Sequence, residues 1–80
     1  MNAKLQESII NDVIERLAEV RKQQGLSHDA LSRASGLHRS TISLIESRKR
    51  EPTLLTLLRI STVLKCDLGR LITDAQKTKK

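Results

Sequence analysis

The chain has no phenylalanine, tyrosine or tryptophan, and only one cysteine, one proline and three glycines among its 80 residues. Each shortage excludes something. Single-stranded nucleic acid is gripped by aromatic side chains on which bases stack, so a nucleic-acid role for this chain points to duplex DNA. A lone cysteine, Cys66, forms no intrachain disulfide, and with two histidines it does not complete a closed zinc site. Such cysteine usage suits a reducing compartment, and the expected location is the cytoplasm. The opening stretch MNAKLQESIINDV carries Lys4, Glu7 and Asp12 and lacks the apolar run of a signal peptide. The most apolar window, LLTLLRISTVL, is interrupted by Arg59 and is too short to span a bilayer. Three glycines leave little loop for an active site, and no nucleophile elbow, phosphate-cradling loop or carboxylate pair occurs. Neither an enzyme nor a bound cofactor or metal is expected.

Positive charge is what the chain has in surplus, +6 at neutral pH. Residues 1–26 hold four basic and four acidic side chains, whereas residues 27–80 hold eleven and five. That imbalance calls for a polyanionic partner, nucleic acid or an anionic membrane. The basic residues do not line one face of an apolar helix, which argues against the membrane. Residues 76–80, with Lys77, Lys79 and Lys80, read as a disordered basic tail after a single domain over 1–75. A core this small is marginal, so self-association is expected to support it.

Apolar residues recur at helical, not strand, spacing, and the reading is all-α with five helices. Residues 5–24 form a long amphipathic helix, with Ile10, Val13, Ile14 and Leu17 on its stripe and Gly25 as its stop. Ser27 caps a second, two-turn helix that ends at Gly36. A third follows within a few residues in RSTISLIES, where Ile42 and Ile45 face inward. Pro52 blocks its continuation. Thr53 caps a fourth helix, whose core face is read as Leu54, Leu57, Leu58 and Leu64 with Ser61 among them. Asp67 caps a fifth, with Leu68, Leu71 and Ile72 inward.

The second and third helices, joined by a tight glycine-containing turn over about 27–47, make a helix-turn-helix pattern. The residues filling it are specific. Arg21, then GLS, AL, GL and STIS at fixed intervals, then Glu46 and RKREPTLLTLLRISTVL, resemble the Xre/Cro-type helix-turn-helix family. That family includes lambda-type phage repressors and restriction–modification controller proteins. The resemblance runs from about Leu17 to Ile72. It implies the five-helix, lambda-repressor-like fold and DNA binding through the helix Arg39–Glu46.

Roles follow by position. Arg39, Ser40, Ser43 and Leu44 fall where the family contacts bases. Arg39 suits the paired hydrogen bonds to a guanine, and Leu44, where relatives often carry a long polar side chain, suits a thymine methyl. Ser27, His28, Thr41, Arg48, Lys49 and Arg50 are assigned to phosphates. His28 stands where relatives usually place a phosphate-anchoring glutamine. Arg21 and Glu46 occupy the positions of the family's internal ion pair. Relatives often carry glycine at 47 and 65, so Ser47 and Lys65 are expected to strain left-handed caps. Leu55, Val63 and Ile72 are read as a surface for a second copy.

The function this implies is a transcriptional regulator that binds a two-fold-symmetric operator as a homodimer, the reading helices in successive major grooves. A repressor would act by occluding RNA polymerase, and an activator would touch it, with Asp29 the acidic residue placed for that. A second class remains open: an antitoxin-type module that neutralises a partner toxin and also binds its own promoter.

Overall fold

The computed structural model describes residues 2–78. It contains five helices: α1 (Ala3–Gln23), α2 (His28–Ser35), α3 (Arg39–Glu46), α4 (Leu54–Leu64) and α5 (Leu68–Thr78). Each N-terminal signal read from the sequence acts as a cap where its side chain can reach a free amide. The hydroxyl of Ser27 accepts from the amide of Ala30 at 3.0 Å, and that of Thr53 from the amide of Thr56 at 3.1 Å. Asp67 accepts from the amide of Arg70 at 3.2 Å. One cap was not anticipated. Asn2 accepts from the amide of Leu5 at 2.8 Å, which starts α1 at Ala3, two residues before the apolar stripe begins.

The helix ends share one device. Four helices close on a residue with left-handed backbone: Gly25 (φ 72°), Gly36 (φ 77°), Arg48 (φ 64°) and Lys65 (φ 60°). After α1, α3 and α4 the next two amides fold back on the last turn. Arg48 and Lys49 donate to the carbonyls of Ile45 and Leu44, at 3.0 and 2.9 Å. Lys65 and Cys66 do the same to Thr62 and Ser61. The strain expected at Ser47 therefore lies one residue later. Ser47 keeps helical backbone (φ −85°) and Arg48 takes the left-handed turn. Lys65 is left-handed as expected. Each of these side chains occupies a conformation that glycine adopts without steric cost.

The core is one cluster. Ile9, Val13 and Leu17 of α1 meet Leu31 of α2, Ile42 of α3, Leu57, Ile60 and Leu64 of α4, and Leu68 and Ala75 of α5. Burying a side chain such as Ile42, 1% exposed, contributes about 2–3 kcal/mol. The expected face of α4 is corrected in part. Leu57 and Leu64 are buried, but Leu54 and Leu58 are exposed and Ile60 takes the inward place. Every position in LLTLL but one is leucine, so hydrophobic pattern cannot set the phase. Packing of α4 between α1, α2 and α5 sets it.

α5 runs through Thr78, three residues beyond the expected end of the domain. Ala75 is fully buried against the core and Lys77 lies in the last turn, where the helix dipole favours a cation. Residues 79 and 80, the rest of the expected tail, lie outside the described residues.

Candidate nucleic-acid interface

The geometry of α3 begins with its two isoleucines. Ile42 and Ile45 are buried, which seats the helix and fixes which way the remaining side chains point. Arg39, Ser40 and Ser43 are exposed on the outer side, and Leu44 is half-buried beside them. Apart from Arg39 this outer stripe is made of short side chains, so another surface can approach the helix backbone closely. His38 precedes α3 with extended backbone and gives no side-chain cap.

The turn between α2 and α3 is held tightly. The hydroxyl of Ser32 donates to the carbonyl of Leu37, and the amide of Leu37 donates to the hydroxyl of Ser35 at 3.3 Å. Gly36 supplies the left-handed residue, and a Cβ there would meet the Arg59 guanidinium of α4 at 3.5 Å. These contacts lock α3 onto α2 as one unit.

The other end of α3 is anchored by the expected ion pair. Arg21 donates from Nε and Nη2 to the two carboxylate oxygens of Glu46, at 2.8 and 2.9 Å, and from Nη1 to the carbonyl of Leu26 at 2.7 Å. The pair is nearly closed to water, with side chains 10% and 18% exposed. Burial pushes the Glu46 carboxyl up, but hydrogen bonds and positive charge from Arg21 and His28 outweigh it and hold it below its ordinary 4.5. Glu46 is therefore a carboxylate that only accepts.

His28 completes this cluster. Its Nε2 lies 2.9 Å from Oε1 of Glu46, the oxygen that also accepts from Nη2 of Arg21, so the ring is turned inward and is not simply solvent-facing. Ser27 also has a local task, since its hydroxyl caps α2.

The three basic residues after α3 separate. Arg48 folds back, donating to the carbonyl of Glu46 and, at 3.3 Å, to the carbonyl of Asn11 on α1. Arg50 reaches along α3 and donates to the hydroxyl of Thr41 at 3.3 Å. Lys49 stays exposed. Arg50 and Thr41 thus form one donor pair beside the outer stripe, with Lys49 near them in the chain, while Arg48 braces α3 against α1.

Sequence reasoning missed two connections, His28 to Glu46 and Arg48 to Asn11. Eighteen and thirty-seven positions separate the partners, and no helical period links such distances. Of the surface expected for a second copy, Leu55 is 59% exposed, whereas Val63 and Ile72 pack half-buried against the core. The large apolar side chains exposed with Leu55 are Leu54 and Leu58, at 64% and 45%. Among the described residues no group of three metal-ligating side chains comes together, and no helix is long and apolar enough to cross a membrane.

A family model described as Helix-turn-helix matches residues 17–71. Among curated proteins, the HTH-type transcriptional regulator PuuR of Escherichia coli (strain K12) is 39% identical over 62 residues, which covers 78% of this chain and 34% of that protein. PuuR of Shigella flexneri matches to the same extent. The chain thus spans about one third of the length of these curated relatives. No solved structure gives a significant match.

Proposed function

The chain belongs to the helix-turn-helix family, of the Xre/Cro type, and from that premise we propose that it regulates transcription by binding duplex DNA at a specific sequence. The observation that carries this reading is α3 itself. Two buried isoleucines and a locked turn hold out a stripe of Arg39, Ser40 and Ser43 that is narrow enough to enter a major groove. Arg39, in the first turn, is the base reader suited to guanine. Ser40, Ser43 and Leu44 complete the reading surface. Thr41 with Arg50, and Lys49, grip the phosphates. Arg48 positions α3 through Asn11.

Binding is by a homodimer on two half-sites about one helical turn, ~34 Å, apart. Leu54, Leu55 and Leu58 support this part, because three exposed leucines at one end of α4 form an apolar face. The same face would serve an antitoxin, with a foreign partner in place of the second copy.

Selection of bound duplexes from random DNA, followed by Arg39→Ala and Lys49→Ala on the selected site, tests the assignment. Arg39→Ala should lose about 1–3 kcal/mol and relax the choice at one base position. Lys49→Ala should weaken all sequences alike and reduce the salt slope by about one. If Arg39→Ala keeps the full base preference, Arg39 is a backbone contact and not the reader.

A further inference from the structure

A groove of about 480 Å³ runs between residues 3–14 of α1 and the segment that joins α3 to α4. Its apolar lining is Ile10, Ile14 and Pro52, all buried or half-buried. Its charged lining is Glu7 from α1 and Arg48, Arg50 and Glu51 from the joining segment, all exposed. Pro52 also leads into the leucines of α4. Leu54 follows two residues later, then Leu55 and Leu58, and these three are the exposed large apolar side chains among the described residues. A hollow with apolar walls and a projecting apolar face therefore share one border.

We propose that the groove is the seat of a second copy of this chain: the leucines of each copy fill the groove of the other about a two-fold axis. This rests on the homodimer reading above and names what receives its leucine face.

Three observations select a second copy over a foreign partner. A two-fold contact needs one surface that carries both halves, because whatever one copy inserts its partner must also receive. The groove and the leucines are such halves, joined at Pro52. The second observation is charge. Among the described residues Glu7 and Glu51 make no ion pair, and the bonds of Arg48 and Arg50 go to carbonyls and a hydroxyl. A strongly acidic or basic partner would meet like charge at half of these four groups. A second copy brings the same balanced set, and two-fold symmetry lets Glu51 of each copy face Arg50 of the other. The third is size. The groove falls in the range of about 300–1,000 Å³ that encloses a compact apolar body, which projecting leucines supply and a flat surface does not. The α1 wall belongs to this chain's own extension, since residues 3–14 precede the span 17–71 that matches the family model.

The seat adjoins the DNA-binding surface. Arg50 lines the groove and also donates to the hydroxyl of Thr41 on α3. One contact thus joins the subunits and sets how far apart their reading helices stand.

Sedimentation and cross-linking of the full chain test the arrangement. Gln6 is exposed on the α1 wall, so Gln6→Trp fills the groove from outside and leaves the core alone. It should raise the dimer dissociation constant by about tenfold or more, as Leu55→Lys should, with helical circular dichroism unchanged. Both variants should keep wild-type affinity for a duplex with a single half-site and lose the added affinity for the full operator. For cross-linking, Cys66→Ser removes the native thiol, and one cysteine is placed at 6 or at 55. In a mixture of Gln6→Cys and Leu55→Cys chains, a short bis-maleimide should couple position 6 to position 55, identified by peptide mass. A protein that sediments as a dimer without that coupling, or a Gln6→Trp variant that dimerises like the wild type, overturns the groove and leaves the homodimer standing. A wild type that stays monomeric both free and on the operator overturns groove and homodimer together, and returns the leucines to a foreign partner. Dimers that couple 6 to 55 but bind no duplex confirm the groove and overturn the DNA-binding reading alone.

Discussion

Replacing Glu46 by alanine should be among the most damaging single changes in this domain. The reason lies in what is left behind. Arg21 loses two of its three hydrogen bonds and keeps one, to the carbonyl of Leu26. Its side chain is 10% exposed, so water replaces little of what is lost. Removing one partner of a buried pair costs about 3–5 kcal/mol, because the other charge stays buried without compensation. The remaining bond to Leu26 keeps the loss at the low end, about 3 kcal/mol. A domain of this size has roughly 4–12 kcal/mol in total. The melting temperature should then fall by roughly 12–24 °C. Glu46→Gln keeps the shape and one acceptor oxygen, so its cost should be clearly smaller. Arg21→Ala should cost about as much as Glu46→Ala, since it also abandons the Leu26 carbonyl. The decisive quantity is the coupling in the Arg21/Glu46 double-mutant cycle, read from urea denaturation. It should reach about 1–3 kcal/mol. A Glu46→Ala loss under about 1 kcal/mol, or additive effects in the cycle, would show that the two charges act independently.

Four further outcomes are expected. The Glu46 carboxyl is held below its ordinary 4.5 in the folded state, so its stabilisation is complete above that value and drains away as pH falls through the folded value. Urea midpoints from about pH 6 to 2.5 should therefore drop less steeply for Glu46→Gln than for the wild type, and parallel curves would contradict this. Lys65→Gly should raise stability by about 1 kcal/mol, because it removes the left-handed strain of an exposed side chain; a thermal melt that is unchanged or lower would refute it. Arg48→Gly should gain less, because it gives up the bond to Asn11. Leu55→Lys should shift sedimentation at micromolar concentration toward monomer and leave the helical circular dichroism intact, whereas an unchanged sedimentation profile would place the second copy elsewhere.

The helices and their ends were legible because their causes are local. A cap involves three or four consecutive residues, and Ser27, Thr53 and Asp67 act within that range. Glycine after a helix needs only its own backbone freedom, which is why Gly25 and Gly36 marked the ends of α1 and α2. The seating of α3 was equally plain, since Ile42 and Ile45 are the apolar residues at inward spacing in a polar helix. The Arg21–Glu46 pair was reached by a different route. Its partners are twenty-five positions apart, and only the resemblance joined them.

What the sequence determined by itself, then, was the set of helices, the face by which α3 is held, and the polyanionic partner implied by a +6 chain without aromatic side chains. Each depends on composition or on neighbours within a turn or two. The tertiary structure decided the rest, because those choices are made between elements distant in the chain. Packing of α4 against three other helices, and not its leucine-rich pattern, turned Leu57, Ile60 and Leu64 inward and left Leu54, Leu55 and Leu58 outside. Closure of the bundle brought Arg48 to Asn11, so that one of three consecutive cations became a brace. It also brought His28 of α2 against Glu46 of α3, where a buried carboxylate with two oxygens collects more than one donor. A ring read from the chain as a phosphate ligand is thereby turned toward a carboxylate of its own domain.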